Sequence, residues 1–234
     1  SGHTLSDGYW QMTLQVVREL GLNFSFEQDA MIIPSRQKVT KKRFVVESDS
    51  SSAFAVAALA TLSGSLELSH FSVQSLQPDH VFVDILKNMG VSISVENETL
   101  RITQCDHLLP VEWNLSSCPD LFPILAVLCA FADGVSRLYG APHLALKESH
   151  RIDEIARLMN LLGRKAEILS DGLVIHGRKE RHFGDPISYT PEPDHRLVMA
   201  AFVAQRAGAP LRITHPEVVS KSFPEFLQIV SGGF

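Results

Sequence analysis

The chain has 234 residues, 45% of them hydrophobic and 20% charged, with a net charge of −5. That length suits one large domain or two small ones with a sizeable core. The acidic balance, with Lys41-Lys42-Arg43 as the only basic triplet, excludes nucleic acid as the main partner. No apolar run reaches the roughly 18 residues of a membrane span; residues 124–132 are apolar but end at Asp133-Gly134. Cys105, Cys118 and Cys129 are odd in number and lack CxxC spacing. They build neither a disulfide framework nor a zinc site and point to a reducing cytoplasm. The ten histidines are scattered without a metal-binding motif. The chain opens Ser1-Gly2-His3 with no initiator Met and no signal peptide, the pattern expected of a fragment.

Two patterns alternate along the chain. In the first, an amphipathic helix ends on a glycine and a β-hairpin follows. In the second, an Asp leads into an apolar helix that stops at a glycine before a single strand. Residues 16–20 close a helix at Gly21, and residues 22–26 and 31–33 form the first hairpin. Asp49 leads through Ser50-Ser51-Ser52 into a helix over 53–62, then Gly64 and a strand over 65–68. The first pattern returns at residues 85–89, Gly90, and strands 91–95 and 100–102. Asp120 opens a helix over 122–131 that stops at Gly134 before a strand over 135–139. Residues 155–162, Gly163, and strands 165–169 and 173–175 make a third copy of the first pattern. Asp194 opens the last apolar helix, residues 197–207, before Gly208 and a strand over 211–213, and a short helix begins near Pro224. From Asp to Gly is 15, 14 and 14 residues. Helices apolar on every side are buried.

Together the patterns give an α/β fold of repeated β-α-β-α-β-β units, each about 70 residues long. Three units run over 44–103, 111–176 and 186–234, the last cut short. Residues 1–43 supply only the second half of an earlier unit, the tail of another lobe. Its apolar face calls for a partner.

The chemistry gathers at helix starts. Lys147, Glu148 and Arg151 fall within five residues; as the first turn of a helix they would share its anion-attracting N-terminal end. The alternative is a solvated helix start with i,i+4 ion pairs. Asp120 and Asp194 read as N-caps or as working carboxylates, and His195 as a core histidine or a donor. If the units are related by pseudo-symmetry, Lys147, Arg151, Arg196, Lys221, Asp120 and Glu148 face one surface. Such a surface suits a small phosphate- or carboxylate-bearing substrate.

Lys147-Glu148-Ser149-His150-Arg151-Ile152, Asp194-His195-Arg196-Leu197-Val198-Met199-Ala200, Lys221-Ser222-Phe223-Pro224-Glu225-Phe226 and Pro119-Asp120 together resemble, in order and spacing, motifs of the 5-enolpyruvylshikimate-3-phosphate synthases. The resemblance covers nearly the whole chain and corresponds to the C-terminal half of that enzyme. It implies a two-lobed protein, each lobe with three such units about a pseudo-threefold axis, and a site in the cleft between lobes. The implied reaction transfers the enolpyruvyl group of phosphoenolpyruvate to the 5-hydroxyl of shikimate 3-phosphate, without metal or organic cofactor. Asp120 then matches the carboxylate on the shikimate hydroxyls. Glu148 matches the carboxyl that moves a proton at the methylene carbon, and Lys147 sits between the substrates. Arg151, Arg196 and Lys221 match the cations that hold phosphoenolpyruvate, with His195 as a neighbouring donor. Ser6 and Tyr9 are similar to the family's Ser-x-x-Tyr, which helps bind the shikimate ring and its phosphate, and His143 stands where a polar residue meets that phosphate. His150 replaces the family's usual Asp, and Ala145 a frequent Arg. The family's other cations and its Ser-Ser-Gln stretch have no counterpart here. Partners implied are the two substrates and the missing N-terminal lobe, in a cytoplasmic enzyme monomeric at full length.

Two alternatives remain. Enolpyruvyl transferases acting on a UDP-sugar share the fold, although the Lys-Glu-Ser-x-Arg and Asp-His-Arg motifs argue against them. An isolated lobe that binds an anion or only folds is the other, and for this chain alone no turnover is expected.

Overall fold

In a computed structural model, which describes residues 7–28, 30–181 and 184–232, the first half-unit is α1 (Asp7–Glu19) followed by the hairpin β1 (Ser25–Glu27) and β2 (Ala30–Ile32). Of α1 only Leu14 is buried, and the hairpin pairs with no other described strand. The first full unit carries α2 (Ser50–Leu62), β3 (Ser65–Leu68), α3 (Phe82–Asn88), β4 (Ile93–Glu96) and β5 (Thr99–Thr103). The second carries β6 (Glu112–Asn114), α4 (Phe122–Phe131), β7 (Gly134–Tyr139), α5 (Arg151–Leu161), β8 (Lys165–Leu169) and β9 (Gly172–Gly177). The third carries β10 (Ile187–Tyr189), α6 (His195–Arg206), β11 (Leu211–Ile213) and α7 (Phe226–Gly232).

The Asp-to-Gly helices α2, α4 and α6 pack on one another at the centre. Neither α2 nor α4 contains a charged residue, and every residue of α4 is buried, so both can be enclosed on all sides. The units' sheets pack against them, in the orders β3-β5-β4, β6-β7-β9-β8 and β10-β11. In the second and third units the strand before the buried helix runs parallel to the strand after it, and hairpins β4–β5 and β8–β9 are antiparallel. Arginines close the C-terminal ends of two central helices. Arg181 Nη1 donates to the Leu62 carbonyl at 2.9 Å and Arg164 Nε to that of Ala130 at 2.9 Å, supplying donors that a helix end lacks.

Two expectations fail locally. Residues 44–46, where the first β-α-β-α-β-β unit is expected to open on a strand, pair with no described strand. Val45 and Val46 are 86% and 81% exposed. With neither face buried, no apolar gain offsets the entropy of ordering an edge strand there. The Lys147–Arg151 stretch is also not the first turn of a helix. A 3-10 turn spans Pro142–Leu146, Lys147 is extended, and α5 starts only at Arg151. The His150 side chain stands at the N-cap and takes the first-turn N–H of Asp153 at 3.4 Å, a role that ends the extended segment.

Glycines set one close approach. A Cβ at Gly177 would overlap the carbonyl oxygens of Cys129 and Ala132 at the end of α4, whereas nothing lies within 4 Å of one at Gly163, whose φ is +65°. Gly177→Ala should therefore cost about 3 kcal/mol, the upper part of the range for overpacking, against about 1–2 kcal/mol for Gly163→Ala from backbone strain alone. Urea unfolding of the two variants checks the order; equal losses would refute the close packing of β9 on α4.

Candidate active site

The site forms where the N-terminal ends of the central helices meet. Asp194 caps α6, its Oδ1 accepting from the Arg196 N–H at 2.9 Å. Its Oδ2 accepts from Arg151 Nε at 2.7 Å and from Ser149 Oγ at 3.0 Å, and the residue is wholly buried. Arg151, only 2% exposed, is the hub. From the first position of α5 it spans Asp194, Asp120 (Nη1 to Oδ1, 2.9 Å) and Glu148 (Nη2 to Oε2, 3.6 Å). Its planar fork suits this because it can serve several carboxylates at once.

Asp120 lies inside a 3-10 turn, Pro119–Leu121, and makes no capping hydrogen bond to α4. Three cations from three segments converge on it instead. Lys147 Nζ is 3.3 Å away and Arg151 2.9 Å from the same oxygen, and Arg196 Nη2 is 3.0 Å from the other. Glu148 stands beside them, one oxygen bonded by Lys221 and the other 3.0 Å from His195 Nδ1, an ion-pair distance without hydrogen-bond alignment. The structure thus brings together Asp120, Lys147, Glu148, Arg151, His195, Arg196 and Lys221. Of the two readings of the aspartates, Asp194 is a cap and Asp120 is not.

Electrostatics sorts these groups. Burial alone would raise the Asp120 carboxyl, but Arg196, Lys147 and Arg151 override it and hold it below the usual carboxylate range. The same contest at Asp194 is won by the Arg151 hydrogen bond and charge, joined by the Arg196 N–H and Ser149. Burial, then Arg196, pushes the His195 imidazole down against the pull of Glu148, so it is neutral at pH 7. The site therefore holds an ionised acceptor paired with three cations and, beside Glu148, a neutral imidazole.

Tyr9, on α1, donates its hydroxyl to Asp79 Oδ2 at 2.8 Å, and charge interactions with Asp120 and Arg196 place it beside the site. His143 sits in the Pro142–Leu146 turn with both ring nitrogens buried and without a hydrogen-bond partner among the described residues. Burial, then Lys147, lowers its basicity. Ser6 lies outside the described residues. Sequence reasoning missed one residue and one pairing. Asp79 is 5% exposed and sits in Pro78–Val81, a Pro-Asp turn like Pro119-Asp120, so the signal was present in the repeat. The ion pair of Asp194 with Arg151 joins residues 43 apart, for which no local pattern exists. Among the described residues, Glu148, Asp194 and His195 are the one group whose donor atoms lie close enough, within 4.8 Å, to share a metal ion. Asp194 spends its oxygens on Arg151, Ser149 and the α6 N-terminus, and Arg151 already fills the cation's place.

A family model described as EPSP synthase (3-phosphoshikimate 1-carboxyvinyltransferase) matches residues 2–230. The chain belongs to the EPSP synthase family. A 3-phosphoshikimate 1-carboxyvinyltransferase from Syntrophobacter fumaroxidans is 38% identical over 93% of this chain and 52% of its own length. The enzyme of that name from Archaeoglobus fulgidus is 34% identical over 96% and 53%. Among solved structures, an EPSP synthase from Acinetobacter baumannii superposes with a TM-score of 0.77 at 25% identity, over 94% of this chain and 54% of that one. The enolpyruvyl transferase NikO from Streptomyces tendae shares the fold, with a TM-score of 0.72 at 17% identity over 95% and 52%. The chain spans about half the length of the curated EPSP synthase relatives it matches. No described helix is long and apolar enough to cross a membrane.

Proposed function

We propose that this chain supplies one wall of an enolpyruvyl-transfer site acting on phosphoenolpyruvate and shikimate 3-phosphate, releasing phosphate. Three cations converging on Asp120, with Glu148 held between Lys221 and His195, carry this reading. Two multiply charged anions must be brought together, a hydroxyl deprotonated and a methylene carbon protonated. Asp120, ionised through its cations, accepts from a substrate hydroxyl. Glu148 handles the proton at carbon, with neutral His195 beside it as a donor. Lys147, Arg196 and Lys221 hold the anions, trading carboxylate partners for substrate oxygens. Arg151, with its donors spent on carboxylates, fixes the geometry of Asp120 and Glu148.

Residues 1–43 belong, in this reading, to another lobe. The free-standing hairpin β1–β2 and the sparsely buried α1 support that division. The second wall comes from the half of the relatives' length that this chain does not span. The chain alone should then release no phosphate from the two substrates; release at an ordinary enzymatic rate contradicts the two-wall arrangement. Binding tests the assignment more sharply. Arg196→Ala should weaken phosphoenolpyruvate by about tenfold or more, the value of a charge-assisted hydrogen bond, and shikimate 3-phosphate far less. Calorimetry showing equal losses for both ligands would count against it.

A further inference from the structure

We propose that Asp79 is a positioning residue that holds the phenol proton of Tyr9, so that Tyr9 accepts a hydrogen bond from a ring hydroxyl of the substrate and does not donate to its phosphate. This rests on the functional reading above. Tyr9 gives its hydroxyl hydrogen to Asp79 Oδ2 at 2.8 Å. A phenol has one proton. While it is committed, the oxygen offers only lone pairs, which repel phosphate oxygens and attract an O–H.

The bond is hard to give up. Asp79 is 5% exposed, and its other oxygen, Oδ1, is buried without a partner among the described residues. Among the described residues Tyr9 supplies the one side-chain hydrogen bond that compensates this carboxylate, and releasing it would leave a buried charge with no described donor. The groups facing Asp79 do not replace it. Asp120 and Asp49 add like charge, the Cys118 thiol lies close by, and Arg196 acts only at a distance. Burial pushes the Asp79 carboxyl up to about 6, so at neutral pH it is an anion in want of that proton. Burial, with Asp79 and Asp120 adding to it, also holds the Tyr9 phenol well above its ordinary value. Tyr9 therefore never becomes a base. The link ties α1 to the turn before α3 across 70 residues of sequence.

Three probes separate the readings: shikimate, inorganic phosphate and shikimate 3-phosphate, each titrated into the chain by NMR. Tyr9→Phe should weaken shikimate and shikimate 3-phosphate by the same factor, about two- to tenfold, as one neutral hydrogen bond does, and leave phosphate unchanged. Asp79→Leu frees the phenol proton and should strengthen phosphate, while shikimate, to which the oxygen still offers its lone pairs, should lose less than in Tyr9→Phe. Asp79→Asn, which keeps an acceptor for the phenol, should restore the original order, and it serves as the check if the leucine variant does not fold. Loss of phosphate affinity in Tyr9→Phe, or unchanged shikimate affinity, overturns the proposal. Failure of the functional reading looks different, because the unsubstituted chain would then bind none of the three.

Discussion

Arg151→Met is expected to destabilise the chain by about 3–5 kcal/mol, the cost of removing one partner from a buried charge network. The side chain is 2% exposed and holds Asp194, which is fully buried, through Nε and Nη2. Without it Asp194 keeps only the Arg196 N–H and Ser149, too little to support a buried anion. The pH dependence should change sign as well. In the native chain Arg151 outweighs burial and Asp194 is held below its ordinary value. Its contribution is present above the unfolded pKa of about 4 and is lost as pH falls through the lower, folded one. In the variant, burial is opposed only by the Arg196 N–H and Ser149 hydrogen bonds and lifts Asp194 above its unfolded value. Stability is then greatest at low pH and falls as pH rises through the new value. Denaturant unfolding at pH 5 and pH 8 reads both effects. A loss below about 1 kcal/mol, as for an exposed ion pair, would show that Arg151 is not the hub. The double variant Arg151→Met/Asp194→Asn should recover part of the loss, since the uncompensated charge is gone.

Asp120→Asn should move binding and turnover in opposite directions. The carboxylate neutralises Lys147, Arg151 and Arg196. Removing its charge while keeping its shape leaves these cations facing the cleft, so inorganic phosphate and phosphoenolpyruvate should bind about tenfold more tightly, as one charged hydrogen-bonding partner is worth. The same change removes the acceptor proposed for the substrate hydroxyl. In a chimera of this chain with the half of the Syntrophobacter fumaroxidans relative that it does not span, turnover should fall by about 10²–10⁴-fold, the usual contribution of a positioned base. Calorimetry on the chain and phosphate release by the chimera check the two halves. If anion binding weakens, Asp120 is not the counter-charge of the site; if turnover survives, it is not the base.

Much of this arrangement is legible in the sequence because it is local. The absence of charge in residues 53–62 and 122–131 forces burial of α2 and α4 wherever they lie, and period and composition are enough to say so. Gly21, Gly90, Gly163 and Gly208 all take positive φ, as expected for glycines that end helices. Asp49 and Asp194 cap the helices they precede. Lys147, Glu148 and Arg151 could be placed together by spacing alone, although the turn geometry assumed for them was wrong. The extended Lys147 and the His150 cap push the helix start to Arg151.

The sequence alone determined the repeat, the buried helices, the Asp-led helix starts and the set of charged groups they carry, because each depends on neighbours within a turn or a strand. Only the tertiary structure decided which charges meet. Asp194 pairs with Arg151, Arg196 with Asp120, and Tyr9 with Asp79, across 43, 76 and 70 residues. It also left residues 44–46 without a partner among the described strands, against the strand that the repeat predicts there. The physical reason is common to all of these. A hydrogen-bonded partner or a covering surface is chosen by position in space and by the burial available there, and neither has a period along the chain.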